Sequence, residues 1–135
     1  MFCGKILAKI TPYPSPMFYI KGGGAKNGSG NIILHNSAGH AYIENSKQFY
    51  SSCENCITEY EYQRIKYAYM TNVTAYNVET LAGYNSNYRN SVRLTNVEFS
   101  CKHVCRIFEG RNDGKESRAL GDKCQSNSIR ECVCK

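Results

Sequence analysis

The sequence predicts an α+β fold, an antiparallel β-sheet with packed helices cross-linked by disulfides. Three observations carry that expectation. Eight cysteines lie in a chain of 135 residues, two segments place apolar residues at helical spacing, and several short runs alternate apolar with polar residues. The length suits one domain, 1–135, with its own core.

Taken in order, ITPYPSP (10–16) holds all three prolines, Pro12, Pro14 and Pro16. Proline has no N–H to give a ladder, so this stretch belongs to an edge or a loop. KGGGAKNGSGN (21–31) separates the apolar runs MFYI and NIILH and reads as a hairpin connection or mobile loop. It matches neither the P-loop spacing nor G-x-G-x-x-G, which excludes a phosphate cradle of those types. GHAYIENS (39–46) reads as a strand with His40, Tyr42 and Glu44 on one face. RIKYAYM (64–70) alternates in the same way.

VTAYNVETLAG (73–83) places Val73, Tyr76, Thr80 or Leu81, and Tyr84 at helical spacing, with Thr71 or Asn72 as cap and Gly83 as stop. SVRLTNVEF (91–99) reads as a strand whose apolar parity switches between Leu94 and Val97, which a bulge would explain. SCKHVCRIFEG (100–110) reads as a helix, with Ser100 as N-cap and Gly110 just past its end. On it Cys101, Val104, Cys105 and Phe108 form one apolar stripe, and His103 falls on the far side as a surface bystander. SIRECVCK (128–135) closes the chain as a strand with Cys132 and Cys134 on one face. No internal repeat is expected.

A strand with C-x-C can receive both sulfurs of a helix with C-x-x-x-C. The simplest uncrossed solution pairs Cys101 with Cys132 and Cys105 with Cys134. That leaves Cys3, Cys53, Cys56 and Cys124, with Cys53 and Cys56 tied to Cys3 and Cys124 in an order that stays open. The start, MFCGKILAKITPY, has no apolar run long enough for a signal peptide, so a secreted protein would be seen here as its mature chain. The cysteine count itself points to an oxidising, extracellular compartment. No transmembrane segment is expected.

All eleven tyrosines lie between Tyr13 and Tyr88, a composition suited to a Tyr-rich sheet or an adaptable binding surface. Net charge is +6, spread along the chain without the dense basic stripe of a nucleic-acid binder. Cys53-Glu-Asn-Cys56 has zinc-knuckle spacing but lacks the second C-x-x-C of a ribbon, so no metal is expected. It also lacks the βαβ surroundings of a redox C-x-x-C. His40, Tyr42 and Glu44 offer a base, a hydroxyl and a carboxylate, which would fit a secreted ribonuclease. Asn27-Gly-Ser and Asn72-Val-Thr match the glycosylation sequon.

The run of Cys101, Cys105, Cys124, Cys132 and Cys134 resembles the cysteine-stabilised αβ pattern of defensins and short scorpion toxins. With eight cysteines and the helix–strand clip, the whole chain resembles the small secreted fungal avirulence effectors called LARS. That resemblance implies a secreted, non-catalytic effector: a monomer that binds a host or target-cell protein, modulates host immunity and needs no cofactor. The defensin pattern implies instead an antimicrobial or channel toxin acting through Arg106, Arg111, Lys115, Arg118 and Lys123. In either case the protein is not an enzyme; the ribonuclease is the enzymatic alternative.

Overall fold

In the computed structural model the described residues are 6–7, 17–26, 31–34, 39–49, 55–58, 65–111, 113, 115–125 and 128–135. Among them there is no α-helix. Four strands define the pattern: β2 (Met17–Lys21), β5 (Gly39–Glu44), β8 (Lys66–Asn85) and β9 (Ser91–Glu109). They pair in parallel, so that Met17, His40, Tyr67 and Ser91 are neighbours in one row. Equivalent positions therefore recur after 23, 27 and 24 residues. Parallel neighbours need a long return path between them.

Here the return path is itself strand. The short strands β3 (Gly24–Lys26) and β6 (Lys47–Phe49) pair with each other, and β6 pairs with residues 74–75 of β8. The strands β1 (Ile6–Leu7), β4 (Asn31–Leu34) and β7 (Asn55–Thr58) pair in succession, and β7 pairs with residues 82–83 of β8. Each turn of chain thus adds one strand to three successive sheets, and β8 runs through all three. The chain winds as a parallel β-helix. A single coil cannot bury its own apolar face, and stacking coils makes one continuous core.

The corners explain why one strand can serve three sheets. Gly22, Asn45, Asn72 and Asn96 occupy equivalent corner positions, all with positive φ (70°, 53°, 53° and 50°). Left-handed backbone is open to glycine and tolerated by asparagine. The asparagines also join hands. Asn72 Nδ2 donates to Asn45 Oδ1 at 3.0 Å, and Asn96 Nδ2 donates to Asn72 Oδ1 at 2.7 Å. A second left-handed residue, Asn77 (φ 55°), is an extra residue in β8 where the register with β9 shifts.

The core lies inside the coils. In the first sheet Ala41, Ile43, Ala68, Met70, Val92 and Leu94 are buried, and Val73, Ala75, Val97, Val78 and Leu81 belong to the same core beyond the corners. Small and large side chains alternate between neighbouring rows, which lets the coils close up.

The far edge of β9 is covered rather than left bare. Strand β10 (Arg118–Lys123) pairs antiparallel with residues 105–109, and β11 (Ser128–Cys134) with residues 92–98. Covering an edge this way removes a template for unwanted pairing.

The α+β expectation is therefore wrong, and so are both of its helices. Residues 73–83 lie within β8 and 100–110 almost wholly within β9. The parity switch between Leu94 and Val97 is the left-handed corner at Asn96. Glycines 22 and 23 do not make a hairpin; they turn the chain into β3, which pairs in parallel. The regular 23-to-27-residue recurrence is an internal repeat that the reading of the sequence did not expect. The proline segment and residues 27–30 lie outside the described residues.

Candidate functional site

Alternation along a strand sends every second residue outward, and parallel stacking lines those residues up in rows. On the outer face of the first sheet one row holds Met17, His40, Tyr67 and Ser91. The next holds Tyr19, Tyr42, Tyr69 and Arg93, and a third holds Lys21, Glu44, Thr71 and Thr95. The middle row is a stack of rings. Tyr19 and Tyr42 have centroids 4.8 Å apart, and Tyr42 and Tyr69 4.6 Å, with interplanar angles of 12° and 7°. These spacings match the separation of adjacent strands, about 4.7–4.9 Å. His40 stacks on Tyr67 at 4.7 Å.

The three residues taken from GHAYIENS lie on this face, but the structure does not join them as an acid–base group. His40 Nδ1 is hydrogen-bonded to Tyr69 Oη at 3.2 Å, on the next coil. Glu44 instead faces Lys21 at 3.4 Å. Tyr42 is held between two rings. Burial first, then the neighbouring Tyr42 and Tyr67, push the Tyr69 hydroxyl above its ordinary range, while Arg93 pulls the other way. The face therefore offers hydroxyls and an imidazole, with Lys21 and Arg93 at its margins. Lys21 also lies 5.2 Å from the Tyr19 ring centre. Arg93 sits 3.9 Å from Glu131 in an exposed pair.

A second polar group lies on the third sheet. As a strand, β9 puts Cys101, His103 and Cys105 on one face, so His103 is no bystander. Its Nδ1 is 2.9 Å from Asp122 Oδ2 of β10, and both side chains are mostly covered. Thr80, beside His103 in register, is fully buried, and among the described residues neither its Oγ1 nor Asp122 Oδ1 has a hydrogen-bond partner. Cys101 is a free thiol, and burial raises it to about 11.

Half of the expected clip is present, the Cys105–Cys134 bridge, while Cys101–Cys132 is not, and Cys124 is not tied to Cys53 or Cys56. Cys105 is bridged to Cys134, and Cys132 is bridged to Cys124 rather than to Cys101. The reason is again the strand: Cys101 and Cys105 stand four residues apart along β9, and β11 reaches only residues 92–98 while Cys124 follows β10 beside Cys105. Cys3 and Cys53 lie outside the described residues, as do the side chain of Cys56 and the whole of Asn27. Asn72, the other sequon asparagine, is the middle rung of the corner ladder, with its amide nitrogen already donating.

The basic residues named for a toxin face are mostly engaged. Arg111 binds Asp113 at 2.6 Å, Arg118 faces Glu109 at 3.1 Å, and Arg106 lies over the Phe108 ring. Lys123 donates to the carbonyl of Lys135. They form separate contacts of the cap and not a common charged surface. Among the described residues no helix is long and apolar enough to cross a membrane, which says nothing of crossing by strands.

The chain resembles known proteins of one kind. A family model described as pectate lyase matches residues 8–115, which spans all four coils. A probable pectate lyase E of Aspergillus clavatus is 36% identical over 110 residues, covering 77% of this chain and 42% of that protein. A probable pectate lyase F of Aspergillus terreus is 32% identical over 108 residues, covering 76% and 44%. Pectate lyase E of Emericella nidulans is 31% identical over 102 residues, covering 72% and 39%. No solved structure is a significant match. The chain thus spans about two fifths of the length of the curated relatives it matches.

These matches overturn the resemblance to LARS effectors and to defensins, and with it the non-catalytic effector, the toxin and the ribonuclease. They also overturn the expectation that the protein lies outside the enzymes, since the relatives are named as lyases. Secretion, expected from the cysteines, agrees with the family. The sequence showed no motif of the family that elementary spacing rules recognise; the signal lay in tyrosines and asparagines repeating at unequal intervals. The chain belongs to the pectate lyase family.

Proposed function

We propose that the protein acts on pectate, cleaving the polyuronate by elimination outside the cell, with the four coils described here forming part of the wall on which the polymer lies. The observation that supports this reading is the family match over residues 8–115, which covers the parallel strands β2 to β9. Elimination next to a carboxylate needs a base for the neighbouring carbon-bound proton and cations to hold the carboxylate as charge develops.

Among the described residues, the outer face of the first sheet is the best support for the polymer. Arg93 and Lys21 carry the charge that pairs with carboxylates, and Tyr19, Tyr42, Tyr67, Tyr69 and His40 give an amphipathic floor. Both cations rest in exposed ion pairs, each worth about 0–1 kcal/mol, so an incoming uronate displaces Glu131 or Glu44 at little cost. Arg93 is the stronger binder, since its guanidinium can hold a carboxylate through two parallel hydrogen bonds.

The test is product formation from polygalacturonate, followed by the ultraviolet absorbance of the unsaturated ends. Absorbance that grows with polygalacturonate and not with fully methyl-esterified polymer supports the reading. No product and no retention on immobilised polygalacturonate would remove it. Arg93→Ala then tests the face alone: it should raise KM severalfold with kcat and melting temperature held. An unchanged KM would move the polymer off this sheet and leave the family activity standing.

A further inference from the structure

The cap that closes the solenoid gathers four sulfurs from three strands. Cys105 comes from the end of β9, Cys124 from the turn after β10, and Cys132 and Cys134 from β11. The Sγ atoms of Cys124, Cys132 and Cys134 all lie within 4.8 Å of one another, and Cys105 is bonded to Cys134. Cys124 and Cys134 belong to different disulfides, yet their sulfurs are 3.2 Å apart. Cys105 and Cys134 are wholly buried. The gathering is built by the backbone: Cys124 is held in the left-handed region, φ 61°, where a cysteine is uncommon. C-x-C puts both sulfurs of β11 on the same side. Two disulfides would need only two separate close pairs; here three of the sulfurs are mutually close, and the fourth, Cys105, joins them through its bond to Cys134.

We propose that Cys105, Cys124, Cys132 and Cys134 form a thiolate metal site, which takes one divalent cation of the zinc class when its two disulfides are reduced. Conversion consumes four electrons and four protons: two phosphines give the electrons and become phosphine oxides, taking oxygen from two waters whose hydrogens complete the four thiols, and these lose their protons as the ion binds. Four thiolates are the donor set that zinc favours, at about 2.3 Å in tetrahedral array. Soft sulfur donors in a largely buried site disfavour calcium and magnesium, which take oxygen. Arg106, Lys123 and Lys135 each adjoin one of the four cysteines in sequence and offset the surplus charge of the thiolates, against Glu131 beside Cys132. The site lies on the cap and does not depend on the lyase reading.

The experiment uses the full chain, reduced anaerobically with a phosphine and titrated with Co(II). One equivalent should bind with thiolate-to-cobalt charge-transfer bands and the visible bands of a tetrahedral ion, and Zn(II) should displace it. Cys101→Ser should leave this titration unchanged, and the double variant C132S/C134S should abolish it. A protection experiment on the wild-type chain avoids the question of whether the variant folds. Alkylation of the reduced chain should modify Cys105, Cys124, Cys132 and Cys134 without metal and spare these four in the presence of Zn(II). Absence of the cobalt bands, or alkylation of the four at the same rate with and without Zn(II), would overturn the proposal.

Discussion

Replacing Asn72 separates the two things a corner asparagine does. It holds a left-handed backbone, φ 53°, and it passes hydrogen bonds up and down the ladder. For an ordinary residue the left-handed conformation costs about 1–2 kcal/mol. Each ladder bond is worth roughly 0.5–1.5 kcal/mol, but both lie at an exposed corner where water can serve Asn45 and Asn96 once Asn72 is gone. The lower end therefore applies, about 1 kcal/mol for the two together. Asn72→Ala loses both contributions, about 2–3 kcal/mol. Asn72→Gly keeps the backbone open and loses the bonds, with a further cost of roughly 0.5–1 kcal/mol for glycine's freedom in the unfolded chain. Urea unfolding followed by circular dichroism gives the three stabilities. The expected order is wild type, then glycine, then alanine. If glycine destabilises as much as alanine, the corner is held by its amides and the backbone argument fails.

Other outcomes follow from the same geometry. Tyr42→Leu keeps apolar area but removes two ring stacks, each worth about 0.5–1.5 kcal/mol, so stability should fall by about 1–3 kcal/mol; a loss below the error of denaturant melts would show that the rings only share a row. A Cβ on Gly110 would stand 2.5 Å from the Tyr88 ring and 2.9 Å from the Asn85 amide. Gly110→Ala should therefore destabilise, and Tyr88→Ala in the same chain should recover part of the loss, a coupling that a double-mutant cycle in urea reads directly. Burial holds the Cys101 thiol up at about 11 against an ordinary 9.0, so the unfolded chain gives up its proton first. The stabilisation from this thiol is complete below about pH 9 and is lost as pH rises towards 11. Cys101→Ala should flatten the fall of stability across that window, and equal slopes in the two proteins would contradict the assignment.

Several strands were legible because their alternation is local. GHAYIE, the beginning of β8, the beginning of β9 and SIRECVC all show it, and all are strand. The helices failed for two separate reasons. In 73–83 the left-handed Asn77 adds a residue and breaks the alternation, and residues 80–82 and 84 are buried in near succession, so the strand period is lost, while Tyr76, counted on the helical stripe, is exposed. In 100–110 both Val104 and Cys105 are buried although they point to opposite sides, because the coil interior covers one and the disulfide to β11 covers the other. Burial on both sides erases alternation. The repeat was hidden by its unequal coils, yet Tyr19, Tyr42 and Tyr69 keep the same intervals as Gly22, Asn45 and Asn72. The candidate face was half readable. His40, Tyr42 and Glu44 share a side by alternation, but their partners Tyr69 and Lys21 come from neighbouring coils that only the register discloses.

Where β8 is paired on both edges, with β9 on one side and with β5, β6 and β7 over residues 66–71, 74–75 and 82–83 on the other, it has no free side from which to fray. Amides of those stretches meet solvent once a neighbouring coil has come away. The protein should therefore come apart in a set sequence in time, rim first and β8 last. Deuterium would enter the two ends of the stack long before it reached Met70 or Ala75. A molecule assembled as a wall of equal courses thus keeps a memory of position: how long an amide stays protected reports how many courses stand between it and the water.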